Sequence, residues 1–169
     1  MKHDDLTAEE LRSCLCYDPE TGLFWWIKSR GSRTDPTKPA GTINGKGYRY
    51  IGIEGKLYRA NRLAVLYMTG SWPESQVDHI DMTKSNDAWE NLRCASSSQN
   101  RGNMRAFKNN GTGIKGVHWK PRNKKYCARI TVEKKELWLG LFKTSEEAAL
   151  AYNKKAVELF GEFARLNPC

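Results

Sequence analysis

The chain has 169 residues, of which 39% are hydrophobic, and it carries a formal net charge of +9. This composition suits one or two small folded domains and argues against wholesale disorder, and no apolar run approaches the ~20 residues that a membrane span needs. Five irregularly spaced cysteines argue against a disulfide framework. Residues 1–5 are polar and do not resemble a signal peptide, so we expect a soluble cytoplasmic protein that binds no membrane.

Elements in the first half are predicted from capping residues, turn residues and hydrophobic periodicity. A helix is expected over residues 6–16, because Thr7 is a suitable N-cap and Glu10 completes a capping box. Later patterns predict a turn over residues 17–22, a strand over 23–27 and a loop over 29–41. A hairpin over residues 48–60 and a helix over 61–69 are expected to follow. Gly70 is expected to end the last of these helices.

The second half is predicted to form a small sheet and a helix. Strands are expected over residues 114–119, 126–132 and 137–142, after a linker over residues 106–113 that has no hydrophobic pattern. Thr144 should then cap a helix whose apolar residues recur every 3.6 positions, and the apolar stripe should pack on the sheet. On the second strand, a polar set that begins at Lys125 and includes Cys127 alternates with an apolar set. The polar set should face away from the helix.

Basic residues are concentrated toward the C-terminal end. Residues 106–169 carry a charge of +7 and residues 1–105 a charge of +2, and no acidic residue occurs between positions 91 and 132. A long stretch of one sign of charge favours a polyanionic partner such as a nucleic acid. A solvated basic surface without a partner is the alternative interpretation.

Carboxylate, amide and histidine side chains lie together between residues 77 and 103. Hydrolysis of a phosphodiester bond needs a base that deprotonates water and a positive charge that stabilises the reacting oxygens. His79 suits the first task because its pKa lies near neutrality, and Asp78 with later Asn residues could ligate a hard cation. Adjacent strand residues point to opposite faces, so Asp78 and His79 could converge only near a strand end or a bulge. A purely structural role, with His79 bonded by a neighbouring carboxylate and the Asn residues capping turns, stays open.

This segment resembles the HNH nuclease motif, in the ββα-metal form found in phage and homing endonucleases. The residues that carry the resemblance are Asp78-His79-Ile80-Asp81, Asn91-Leu92-Arg93 and Gln99-Asn100 to Asn103. The resemblance covers about residues 5–105. It implies that His79 is the general base and that Asn91 braces the loop and orients His79. It further implies that Asp78 and Asn100 hold one divalent ion, Mg²⁺ or another such as Mn²⁺, with Asn103 as a second candidate for the role of Asn100.

The C-terminal part resembles the AP2 DNA-binding domain. The resemblance is carried by residues 116–117, 126–130, 138–142, 144–149, 151–152, 160–161 and 166–167. It implies a three-stranded antiparallel sheet that packs on one helix and enters the major groove of double-stranded DNA. The positions that would face DNA are Lys115, His118, Lys120, Arg129, Thr131 and Trp138. Core packing is the alternative for Trp138, and a surface position at a strand edge is the alternative for His118.

The sequence therefore predicts an α+β protein with a nuclease domain over residues 1–105, a linker over 106–113 and a DNA-binding domain over 114–169. We expect a site-directed DNA endonuclease that uses one divalent metal ion and no small-molecule cofactor. It is most similar to phage homing enzymes, and we expect a monomer or a weak dimer. The alternatives are a DNA-binding regulator that does not cleave, a nuclease of phage genome packaging, a restriction-like nuclease, and a protein that binds or cuts RNA.

Overall fold

The structure is a computed structural model that describes residues 6–29, 31, 34–106 and 110–168. Residues 1–5, which were predicted not to form a signal peptide, lie outside the described residues. So do residues 107–109 of the predicted linker. The chain divides into two units, the first ending at Ala95 and the second beginning at Ser96. Each unit is described below on its own. In the parts of the chain that are described, no helix is both long enough and apolar enough to cross a bilayer.

The first unit alternates short strand pairs with two helices. Its helices and strands are α1 (Ala8–Cys14), β1 (Leu15–Asp18), β2 (Leu23–Trp26), β3 (Thr42–Ile43), β4 (Arg49–Ile53), β5 (Lys56–Arg59), α2 (Ala60–Thr69), β6 (Gln76–His79) and β7 (Leu92–Ala95). β1 pairs with β2, β4 pairs with both β3 and β5, and β6 pairs with β7, all in the antiparallel sense. The hairpin of β4 and β5 and the helix that follows it lie where the sequence predicts them.

Helix α1 is shorter than predicted. Thr7 caps it and Glu10 completes the capping box, but the helix ends at Cys14. Leu15 already belongs to β1, where it is fully buried and pairs with Trp26 of β2. The prediction of a helix to residue 16 was wrong because this pairing buries Leu15, and the tertiary contact overrides a weak helical preference.

The core of the first unit lies between the helices and the β1–β2 and β3–β5 sheets. Its fully buried side chains include Leu11, Leu15, Phe24, Ile51 and Leu63. Each leucine or phenylalanine buried in this way contributes about 1.5–3 kcal/mol relative to leaving it exposed, and this burial is the main force that holds the short strands together. Gly70 ends α2 in a left-handed conformation with φ of 80°, which agrees with its predicted role.

The second unit begins with a helix and continues into a sheet. Its helices and strands are α3 (Ser97–Asn103), β8 (Val117–Lys120), β9 (Lys125–Val132), β10 (Lys135–Phe142) and α4 (Ser145–Phe160). The strand order is β10-β9-β8, and both pairings are antiparallel. α4 packs on this sheet over a core that contains Val117, Ala128 and Ala148. The predicted three-stranded sheet backed by one helix is therefore confirmed, and with it the α+β class.

Two details of this sheet differ from the sequence prediction. β8 begins at Val117 rather than at residue 114, because Gly116 has a φ of +74°, which a strand cannot accommodate. Cys127 lies on the outward face, as the alternation predicted, but it is 1% exposed and is not open to solvent. Its cross-strand partners are His118 and Leu141, so its small side chain lies between two larger ones in the middle of the sheet.

Candidate functional site

The candidate active site is at the end of β6. Asp78 and His79 are its last two residues and both are buried, with 8% and 4% of their surfaces exposed. Adjacent strand residues point to opposite faces, so the two side chains could converge only near a strand end or a bulge. His79 is the final residue of the strand and meets the first of these conditions. Asn61 on α2 holds this strand through a bond of 3.3 Å from Nδ2 to the Val77 carbonyl, and Arg62 donates to the carbonyls of Pro73 and Ser75 just before it.

A buried carboxylate contacts the His79 ring. His79 Nε2 lies 2.8 Å from Asp87 Oδ1, and Asp87 is 1% exposed. A carboxylate accepts hydrogen bonds, so this contact favours the tautomer with the proton on Nε2 and the basic lone pair on Nδ1. Sequence reasoning missed Asp87 as the residue that orients His79. The only signal was an acidic residue eight positions after His79, in a loop whose path the sequence does not show.

Asp87 is held by β1 and by the turn that follows it. The Tyr17 hydroxyl donates to the Asp87 carbonyl at 2.7 Å, and the Trp89 amide donates to the Pro19 carbonyl at 2.8 Å. Gly22 has a φ of +72°, and a Cβ at this position would overlap the backbone of Asp87 and Ala88. Burial, with the nearby carboxylates of Asp87 and Asp18, raises the pKa of Tyr17, so this hydroxyl stays a donor. The N-terminal turn therefore positions the carboxylate that contacts His79.

Asn91 braces the loop that connects β6 to β7. Its Nδ2 donates to Asp81 Oδ1 at 3.0 Å and to the Asn86 carbonyl at 2.8 Å, and its Oδ1 accepts from the Asp81 amide at 3.0 Å. Burial raises the pKa of Asp81, but hydrogen bonds from Asn86, Thr83 and Asn91 outweigh it, so that the pKa lies below its usual value. This loop contains Asp87, and Asn91 therefore acts on the same loop that carries the partner of His79.

Asp78 pairs with an arginine on the neighbouring strand. Arg93 is its cross-strand partner, and Arg93 Nε and Nη2 each lie 3.2 Å from Asp78 Oδ2. Both side chains are largely buried, so the guanidinium group neutralises and orients the carboxylate.

The donor types proposed for a metal fit a hard divalent ion. Carboxylate and amide oxygens are its usual protein ligands, and phosphate oxygens and water complete the coordination shell. The described part of the chain contains no cluster of three or more His, Cys, Asp or Glu side chains that could hold a metal. A site made of one carboxylate and one amide would not form such a cluster.

The other two residues considered for the metal lie in the second unit, on α3. Ser96 caps this helix, and Gln99 completes a capping box. Asn100 is on its first turn, where the amide donates to the Ser96 carbonyl at 2.9 Å, and the residue is partly exposed. Asn103, the second candidate, is 7% exposed at the end of the helix. Asn100 is therefore the more exposed of the two.

Five of the six residues expected to face DNA share the face of the sheet opposite α4. The cross-strand partners Arg129 and Trp138 lie there, and Trp138 is 60% exposed, which rules out core packing for it. Strand alternation places His118, Lys120 and Thr131 on the same face. Burial, with the charges of Arg129 and Lys120, lowers the pKa of His118.

Two features modify the charge of this face. Arg129 Nη1 forms an ion pair of 2.9 Å with Glu136 Oε2, so part of its charge is already compensated. Lys115, the sixth expected residue, directs its ammonium group elsewhere: Nζ donates to the carbonyls of Gly102 and Arg101 at 2.6 and 3.2 Å. A cavity of about 320 Å³ beside the face is lined by Arg101, Arg105 and Arg129 among others.

Known proteins resemble both halves of the chain. Protein 3.8 of Escherichia phage T7 is 36% identical over 89 residues, which cover 53% of this chain and 73% of that protein. An uncharacterized HNH endonuclease, L560, of Acanthamoeba polyphaga mimivirus is 36% identical over 122 residues, 72% of this chain and 63% of that protein. The ethylene-responsive transcription factor ERF069 of Arabidopsis thaliana is 33% identical over 95 residues, 56% of this chain and 60% of that factor.

These matches confirm both resemblances found in the sequence. The chain spans less than two thirds of the mimivirus and plant proteins, and the plant factor agrees with an AP2-type DNA-binding module. The family model for HNH endonucleases matches residues 58–101, which include Asp78, His79, Asp87, Asn91 and Asn100. The chain is therefore a member of the HNH endonuclease family.

Proposed function

We propose that this chain is a site-directed DNA endonuclease of the phage homing type, with His79 as general base and one divalent ion as cofactor. The observation that carries the proposal is the 2.8 Å contact between His79 Nε2 and Asp87 Oδ1, inside the segment that matches the HNH family. A carboxylate bound to one ring nitrogen fixes the orientation of the imidazole and stabilises the imidazolium that proton abstraction from water would produce.

In the proposed reaction, His79 Nδ1 takes a proton from the water that attacks phosphorus. The imidazolium that forms is stabilised by the adjacent carboxylate of Asp87, which is buried and therefore acts with little screening by solvent. A histidine bonded by a carboxylate would also suit a purely structural role. The position of the pair at a strand end, within the family motif, supports the catalytic role.

Asp78 and Asn100 are the residues that we propose to hold the ion. When bound, the ion would supply positive charge that stabilises the phosphate oxygens as negative charge develops. Arg93 would hold the Asp78 carboxylate in a fixed orientation through its two contacts of 3.2 Å. Mg²⁺ suits two oxygen ligands of this kind, and Mn²⁺ is the expected substitute.

The sheet of the second unit is the surface that we propose for duplex DNA. Arg129 and Lys120 would neutralise phosphates, and Arg129 could also bind a guanine edge. The exposed indole of Trp138 would contact the backbone or the bases. The chain would then bind its target through this sheet and cleave it with the HNH motif.

The first experiment compares the purified chain with His79→Ala on a mixture of phage and plasmid DNA, with Mg²⁺ or with EDTA, and maps new ends by sequencing. We expect discrete Mg²⁺-dependent ends and a loss of about 10³-fold in the variant, since a general base contributes roughly 10²–10⁴-fold. Duplex affinity in EDTA should be nearly unchanged. Cleavage by His79→Ala at the original rate would contradict the role of His79. Binding without cleavage by the unaltered chain would favour a DNA-binding regulator.

A further inference from the structure

Helix α3 is too short to be stable by itself. It has seven residues, Ser97–Asn103, and isolated helices shorter than about 12–15 residues are marginal in water. This helix carries Asn100, the amide proposed to hold the metal ion. Its geometry must therefore be set by contacts outside the helix. The described contacts of its last turn come from later segments of the same unit, at Lys115 and Arg165.

Lys115 binds the C-terminal end of α3. Its ammonium group donates to the Gly102 carbonyl at 2.6 Å and to the Arg101 carbonyl at 3.2 Å. The last carbonyls of a helix lack partners within the helix and carry partial negative charge, so a cation there both satisfies and stabilises them. The Arg165 amide donates to the same Gly102 carbonyl at 3.1 Å. Two separate segments of the second unit therefore hold one turn of α3.

Glycine at position 102 allows α3 to lie directly on α4. A Cβ there would be 2.8 Å from Cγ of Phe160, whose side chain is 5% exposed. Any larger residue would push the two helices apart unless the phenylalanine ring moved. The close approach and the Lys115 contacts are independent observations that concern the same turn.

Lys115 is itself held rigidly. Its amide donates to Asn167 Oδ1 at 2.8 Å, and Asn167 Nδ2 donates back to the Lys115 carbonyl at 3.0 Å. Burial, with Arg165 nearby, lowers the pKa of Lys115 to about 8. Burying this charge is costly, so the ammonium group is better explained by what it orients than by what it adds to overall stability.

We propose that Lys115 is a positioning residue for Asn100, because it fixes the short helix that carries this amide to the sheet and α4 of the second unit. The inference rests on the role proposed for Asn100. It also changes how the chain is divided: the last element of the HNH motif folds as part of the unit that contains the AP2-like sheet.

The direct test is amide hydrogen exchange in the full chain, comparing Lys115→Met with Lys154→Met. Methionine keeps most of the length of the lysine stem but removes the donors, and Lys154 is an exposed lysine of α4 that provides a matched loss of charge. Exchange of the Asn100 and Met104 amides should become roughly ten-fold faster in Lys115→Met only, with amides of β9 as the internal reference. Unchanged exchange in α3 would overturn the proposal.

A second readout separates positioning from general stability. Cleavage is measured against Mg²⁺ concentration at saturating duplex, and the half-saturating Mg²⁺ concentration should rise roughly ten-fold in Lys115→Met. The rate at saturating Mg²⁺ and the duplex affinity in EDTA should change by less than about two-fold. Faster exchange in α3 with an unchanged Mg²⁺ requirement would show that Lys115 stabilises the helix without positioning Asn100, which also overturns the proposal.

Gly102→Ala keeps the proposal testable if Lys115→Met does not fold. It disturbs the same turn through Phe160 and leaves every charge in place, so it should raise the Mg²⁺ requirement in the same direction. Gly111→Ala is the control, because a Cβ at that position meets no atom within 4 Å. An unchanged Mg²⁺ requirement in Gly102→Ala would overturn the proposal. Absence of cleavage by the unaltered chain would instead contradict the proposed function, and the exchange experiment would still test the contact.

Discussion

The strand pair β6–β7 and the three-stranded sheet β8–β10 use polar side chains in opposite ways. Asp78, His79 and Asp87 of the first unit are each less than a tenth exposed, and each of the three contacts another charged or polar side chain. On the sheet of the second unit, Trp138 is 60% exposed and Arg129 forms its ion pair at the surface. Buried polar groups with specific partners keep a fixed geometry, whereas exposed ones can adapt to a ligand. The first arrangement suits chemistry and the second suits recognition.

The largest effect that would test this contrast is expected for Asp87→Asn. The amide has the size of the carboxylate but cannot stabilise an imidazolium and can hold the ring in the wrong tautomer. We expect the single-turnover cleavage rate to fall about 10²-fold at saturating duplex, with little change in duplex affinity. Asp35→Asn, which removes a carboxylate whose described partners are the neighbouring Thr37 and Lys38, should leave the cleavage rate unchanged. A rate within two-fold of the unaltered chain would show that the contact with His79 is only structural.

Gly22→Ala should disturb the same region through the backbone. The residue has a φ of +72°, and a Cβ would overlap the backbone of Asp87 and Ala88. We expect a loss of about 2 kcal/mol in the free energy of unfolding, measured by denaturant titration, together with slower cleavage. Gly45→Ala is the matched control, since its Cβ would meet nothing within 4 Å. Equal stability of the two variants would mean that the turn does not support the Asp87 loop.

Arg129→Ala and Glu136→Ala should shift duplex affinity in opposite directions. Removing Arg129 loses a phosphate or base contact, and we expect about ten-fold weaker binding and a smaller salt dependence. Removing Glu136 frees the guanidinium group from its 2.9 Å ion pair and removes a negative charge from the face, so binding should tighten by about two-fold. Fluorescence anisotropy at several salt concentrations measures both. Weaker binding by both variants would show that the ion pair itself, rather than the free arginine, meets the DNA.

The smallest effect concerns pH. The pKa of Lys115 is lowered to about 8 in the folded chain, against a usual value of 10.5. Between these values the unfolded chain holds a proton that the folded chain has lost, so the contribution of Lys115 to stability rises as pH increases. The free energy of unfolding of the unaltered chain is measured at pH 8 and pH 10, and the same is done for Lys115→Met. Over this range the value for the unaltered chain should rise by about 1 kcal/mol relative to that of Lys115→Met. A difference that does not depend on pH would show that the ammonium group is not desolvated.

Local patterns were sufficient for most of the fold. Capping boxes at Thr7 and Thr144, the glycine that ends α2, and the alternation along β9 all depend on residues within a few positions of each other. These signals predicted the positions of the helices and the sheet of the second unit. They failed where a distant segment decided the outcome, as at Leu15, which the pairing with β2 takes out of the helix.

The sequence by itself determined the family motif and the type of each chemical group, because order and spacing along the chain are enough to define them. Only the tertiary structure identified Asp87 as the partner of His79, since that contact depends on a loop whose position is fixed by Tyr17 and Gly22, more than sixty residues away. Only the tertiary structure showed Lys115 on the end of α3 instead of on the open face of the sheet. In both cases the sequence specified the side chain, and packing between distant segments decided what it touches.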